Sequence, residues 1–120
     1  MPGLSPLIDP LPLRLLCSQL GGDTVVRNRF VTDFLALWTS RHQRLGTALA
    51  VADLTEADVV LLSIRSSSHM LGAVRLDYTA GLLRGALNDN DLSGCRQQLP
   101  RLSKVGVDTC LALSAHITGE

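Results

Sequence analysis

The sequence predicts an all-α protein: an antiparallel, up-and-down four-helix bundle with a short N-terminal helix. Three observations carry that expectation. Apolar residues make up 46% of the 120-residue chain but aromatics only 3%, so the core must come from Leu, Val and Ala. Such a mixture suits packed helices better than sandwiches or barrels, which draw on aromatic and β-branched faces. Apolar residues also recur every three or four positions, the period of one helix face, and no strand alternation interrupts them. Finally, Gly, Pro and Asn-Asp clusters separate the periodic segments by connections short enough to make neighbours antiparallel. A chain of this length is expected to hold one domain with one core.

Pro2, Pro6, Pro10 and Pro12 crowd the beginning, so residues 1–12 are expected to form an extended arm leading into the bundle domain, residues 13–120. A short helix is expected over Leu13–Leu20, ended by Gly21-Gly22, with Asp23 capping the next one. From Thr24 to about Thr39 the stripe is Val26, Phe30, Phe34 and Leu37, with Arg27, Arg29 and Asp33 off it. A separate segment, Arg41–Ala52, repeats the pattern through Leu45, Ala48, Leu49 and Ala52, and Asp53 closes it or caps the next helix. Leu54–Met70 has the cleanest period: Leu54, Ala57, Leu61, Ile64, Ser68 and Leu71 form a narrow buried stripe that Gly72 breaks. Leu76, Ala80, Leu83 and Leu87 define another helix, which stops at Asn88-Asp89-Asn90-Asp91. The last helical stretch runs from Leu92 to about Ile117, with a break expected near Leu99 because Pro100 lacks the N–H a helix interior needs.

Composition and motifs remove several function classes. Eleven basic residues balance eleven acidic ones, so the positive field that dominates nucleic-acid binding is absent. Cys17, Cys95 and Cys110 are odd in number and widely spaced, which points to a reduced, cytoplasmic setting and to core-filling roles. No apolar run reaches the roughly 20 residues of a membrane span, and the N-terminus has no basic region of the signal-peptide kind. His42 is read as part of a solvated turn and His116 as lying near a fraying end. Neither His has Cys or carboxylate at ligand spacing, so no metal or other cofactor is expected. Ser66-Ser67-Ser68 has no Gly-x-Ser-x-Gly setting, Gly21-Gly22 lacks the spacing of a phosphate loop, and the acidic residues are scattered. The chain is not expected to be an enzyme.

One stretch is more informative. Residues 61–73, Leu-Leu-Ser-Ile-Arg-Ser-Ser-Ser-His-Met-Leu-Gly-Ala, resemble the active-site helix of histidine phosphotransfer (HPt) domains of bacterial two-component phosphorelays. In that family the segment reads roughly Ala-His-x-Leu-Lys-Gly-Ser-Ser-Ala-x-Leu-Gly-Ala, and the His carries a phosphoryl group between receiver domains. Ile64 matches the Leu, Arg65 the Lys, Ser67 and Ser68 the small residues, and Leu71-Gly72-Ala73 the end. The Leu-Gly-Gly-Asp at 20–23, the helix ending in Phe34 and the Ala-Leu-Ala-Val-Ala-Asp stretch fit the same pattern, as do Leu76 and Asp91. Asp53 stands nine residues before position 62, where the family places its His. Here that position is Leu62, which has no lone pair to accept a phosphoryl group, and Ser66 replaces the Gly that lets a receiver approach. The resemblance therefore implies the fold, with no acceptor at the usual site. A second register with His69 as acceptor would place Gly72 where the basic residue belongs and lose the Asp53 spacing.

At about 100° per residue, Thr55, Val59, Leu62, Ser66 and His69 share a strip of the helix away from its buried stripe. In the resembled family this strip is where the receiver docks, so Val59, Leu62, Arg65, Ser66 and His69 form the expected docking face. Alternatively, the N-terminal arm or the helix from Leu13 covers Val59 and Leu62. The expected function is an adaptor or competitor binding a response-regulator receiver domain or a sensor histidine kinase. The alternatives are a phosphotransfer protein using His69, or an interaction or dimerisation module unrelated to phosphorelay that uses the Val59/Leu62 face, for instance as a homodimer.

Overall fold

A computed structural model describes residues 7–12, 15 and 24–118, with side chains to Ala115. Among these residues there are no strands and four long helices: α1 (Thr24–Ala50), α2 (Leu54–Leu71), α3 (Val74–Asn88) and α4 (Leu92–Thr118). Each packs on two neighbours, α1 on α2 and α4, and α3 on α2 and α4. With connections of two or three residues, this is the expected antiparallel four-helix bundle. The expected helix over 13–20 and its Gly21-Gly22 end lie outside the described residues except Leu15, which is helical, as are Pro10–Pro12.

The connections reflect local chemistry. Asp53 caps α2 by accepting the Glu56 N–H on its side chain at 3.1 Å, which satisfies one of the unpaired donors of the first turn. Gly72 ends α2 in the left-handed region at φ 74°, where a side chain is disfavoured. Its carbonyl accepts the Asp9 N–H at 2.7 Å, and a Cβ there would strike the Asp9 carbonyl oxygen and lie 3.2 Å from the Pro12 ring. Asp91 caps α4 through the Gly94 N–H at 2.8 Å.

The core joins all four helices. Ala57, Val60, Leu61, Ile64 and Leu71 of α2 meet Leu76, Ala80, Leu83 and Leu87 of α3, Cys95, Leu102 and Leu113 of α4, and Leu45 and Leu49 of α1. Leu54, assigned to the buried stripe from sequence, is 38% exposed because it begins the first turn of α2, at the rim of the bundle. Burial, with Asp91 adding to it, pushes the Cys95 thiol up to about 11, and burial pushes Cys110 up to about 11. Both thiols are therefore neutral near pH 7 and poor nucleophiles.

Two segmentations expected from sequence are replaced by continuous helices. Residues 24–39 and 41–52 are not separate: α1 runs unbroken from Thr24 to Ala50. No Gly or Pro interrupts Thr39–Gln43, and the buried face passes from Val31 and Phe34 through Trp38 to Leu45. The stripe is therefore Arg27, Val31, Phe34 and Trp38, whereas Phe30 and Leu37 are 39% and 45% exposed. Ala52 lies outside α1, exposed and in the left-handed region at φ 59°. His42 is not in a solvated turn; it sits in the α1–α4 seam, bonded to the Ser103 hydroxyl and 5.7 Å from the Trp38 ring.

Nor does α4 break near Leu99. It continues through Pro100 despite the roughly 3 kcal/mol that an interior proline costs. Cys95, Leu102, Thr109 and Leu113 are buried on either side of it, and a break would withdraw one half of that stripe from the core. At about 25 cal/mol per Å² of apolar surface, two or three such side chains outweigh the proline.

Ser68 presents an uncompensated polar group: its hydroxyl is buried with no hydrogen-bond partner. Leaving a buried hydroxyl unpaired costs about 1–3 kcal/mol, and alanine also has the higher helix propensity. Ser68→Ala is expected to stabilise the protein by about 1 kcal/mol, read as a higher urea midpoint at unchanged m-value. A lower midpoint would show that the hydroxyl is paired in solution.

Candidate docking face

The local sequence of α2 sets two faces. Ala57, Leu61, Ile64, Ser68 and Leu71 point into the bundle, and Val60 joins them. The other strip, Thr55, Val59, Leu62, Ser66 and His69, is exposed or half-exposed. Val59 is 49% and Leu62 46% exposed; the helix from Leu13, expected as an alternative cover, lies outside the described residues except Leu15. Of the N-terminal residues described, Asp9 meets the C-terminal end of α2, at Gly72.

Leu62, Arg65, Ser66 and His69 line one shallow hollow of about 350 Å³, together with Asp77 from the first turn of α3. Val59 lies about one turn N-terminal to Leu62, outside the residues that line it. Arg65 Nε donates to Asp77 Oδ1 at 2.9 Å, and the His69 Nδ1 is 3.9 Å from the other carboxylate oxygen. A second pair, Arg84 Nε to Asp58 Oδ1 at 2.8 Å, joins the same two helices on the N-terminal side of Leu62. Both pairs are part-exposed, so each contributes at most about 1 kcal/mol to stability. Their main consequence is orientation: α2 and α3 are held in one register, and Arg65 is held beside Leu62.

On the neighbouring seam, Arg41 reaches from α1 to donate to the Ser67 hydroxyl at 3.0 Å. Burial, with Arg44 nearby, holds its pKa below the usual guanidinium value. The serines thus divide three ways: Ser66 faces the hollow, Ser67 receives Arg41, and Ser68 is in the core. Among the described residues no group of His, Cys, Asp and Glu could hold a metal ion, and no helix is long and apolar enough to cross a membrane.

Sequence reasoning missed Asp77. Asp77 is twelve residues from Arg65 and on another helix, so no spacing rule within one helix links them. The available signal was the Gly72 break, which fixes a tight α2–α3 hairpin and folds the start of α3 back along the end of α2.

No protein-family model matches the chain, and no curated protein matches it. Solved structures do. The histidine-containing phosphotransfer protein B (HptB) from Pseudomonas aeruginosa PAO1 superposes with a TM-score of 0.86 at 15% identity, covering 98% of this chain and 99% of that one. The histidine-containing phosphotransfer protein ZmHP2 from maize superposes at 0.60 with 22% identity, over 92% of this chain and 87% of that one. The chain therefore has the fold of histidine-containing phosphotransfer proteins, as the motif at 61–73 implies.

Proposed function

We propose that this chain is an HPt-like signalling domain of a two-component phosphorelay, a cytoplasmic adaptor or competitor that docks a receiver domain or a sensor histidine kinase. It carries no phosphate at the usual site and is not an enzyme. The observation that carries this reading is Leu62: half-exposed on the outward strip of α2, beside an Arg65 held by Asp77. An aliphatic group in that place gives a partner something to pack against and nothing to phosphorylate.

A second reading uses His69. Its side chain is 88% exposed, and the Asp77 carboxylate stands near its Nδ1, so the ring is accessible and has a group to orient it. Against it, His69 is seven residues from position 62, about 10 Å along the axis. In-line transfer would need a different docking pose.

Incubation with a radiolabelled phospho-receiver separates the readings. The expected result is binding without label. Acid-labile label that disappears in His69→Ala replaces the adaptor reading with the second. A mass measurement in solution checks the remaining option: a dimer dissolved by Leu62→Asp would make the Val59/Leu62 face a homodimer interface.

A further inference from the structure

Arg65 has a seat built for it on α3. Its Nε is bonded to Asp77, and its guanidinium lies across Gly81, one turn further along the same face of α3. A Cβ at Gly81 would stand 3.3 Å from Arg65 Cζ, tight enough to push the guanidinium out by a few tenths of an ångström, and in ordinary contact with Nη1 at 3.5 Å and Nε at 3.6 Å. Glycine in a helix interior is unfavourable relative to alanine. The three atoms nearest an added Cβ at Gly81 all belong to Arg65, so it is the guanidinium that occupies the space this glycine leaves. The bond through Nε is the hydrogen bond Arg65 makes among the described residues. Its two terminal nitrogens are left on a side chain that is 40% exposed and lines the hollow with Leu62.

We propose that Asp77 and Gly81 are positioning residues that hold Arg65 as the fixed cation of the docking face, and that its terminal nitrogens receive an acidic group of the receiver beside the Leu62 contact. This rests on the docking reading above. A guanidinium held in place loses less rotamer freedom on binding than a free one. It also takes a carboxylate or phosphoryl oxygen pair in a fixed geometry. Asp77 thus helps an acidic partner bind even though its own charge opposes that partner.

The test measures affinity of the full chain for receiver domains of its own organism, loaded with beryllofluoride as a stable mimic of the aspartyl phosphate. Arg65→Ala is expected to weaken binding about tenfold, the scale of one hydrogen bond to a charged group. Asp77→Asn should weaken it several-fold, and should do nothing further in the Arg65→Ala background. A charge swap, Arg65→Asp with Asp77→Arg, keeps an α2–α3 pair while reversing the order of charge. It should retain the thermal midpoint and lose binding. Wild-type affinity in the swapped protein, or an equal effect of Asp77→Asn in both backgrounds, overturns the proposal and leaves docking intact. If the wild-type chain binds no receiver, the docking reading itself falls, and this proposal falls with it.

Discussion

Replacing Gly106 with alanine is expected to destabilise the fold more than any conservative change on its surface. Gly106 is buried in α4 against the Trp38 indole, and an added Cβ would overlap the ring at Cζ2 and Cη2 and stand 2.5 Å from Cε2. The indole is rigid, 7% exposed and flanked by His42, which is itself tied to Ser103. It can move only by disturbing the whole α1–α4 seam. Overpacking of this kind costs about 3 kcal/mol or somewhat more. Alanine's better helix propensity returns about 1 kcal/mol, leaving a net loss of about 2–3 kcal/mol. For a domain of this size that lowers the thermal midpoint by roughly 10 °C. Trp38 is the chain's single tryptophan, so its fluorescence reports the same event. A second variant separates packing from backbone effects: with Trp38→Leu in place, Gly106→Ala should cost much less, because the clashing ring is gone. An undiminished cost in the double variant would place the effect in the backbone.

The same seam marks where the sequence was hard to read. The period of α2 was legible because both faces are strongly typed: apolar at Ala57, Leu61, Ile64 and Leu71, and mixed at Leu62, Ser66 and His69. In α1 the apolar pattern has two competing solutions that share Phe34. The one containing Phe30 and Leu37 looked better than the correct one, because the latter includes Arg27 and Trp38. Hydropathy ranks an arginine last for burial, although its stem can lie along apolar surface while its head is bonded, here to Asn28. Pro100 misled in the opposite direction, since local propensity spoke for a break and the tertiary stripe from Cys95 to Leu113 overrode it. The face of α2 could be read from one helix. The Arg65 seat could not, because Asp77 and Gly81 reach it only through the pairing of two helices.

Installing an imidazole at position 62 is the sharpest functional expectation. Leu62→His is expected to make position 62 accept a phosphoryl group, because the surroundings suit one: a half-exposed position on the outward strip, a seated guanidinium a turn away and a hollow open to a donor. Phosphoramidate serves as a small-molecule donor. The imidazole nitrogen attacks phosphorus, the P–N bond of the donor breaks, ammonia leaves, and the new N–P bond carries the phosphoryl group. Arg65 can offer its terminal N–H groups to the oxygens as charge builds on them, a charge-assisted contact. The variant should therefore be modified at least about tenfold faster than the three native imidazoles, the scale such a contact supports. Adding Arg65→Ala should remove most of that advantage. Mass spectrometry at alkaline pH, where phosphohistidine survives, locates the adduct. If position 62 reacts no faster than His69, or reacts equally well without Arg65, then this place on α2 is not a phosphoacceptor station that has lost its histidine. The partner-binding role of the strip would then rest on docking alone, through the apolar Val59/Leu62 pair and the Arg65 guanidinium.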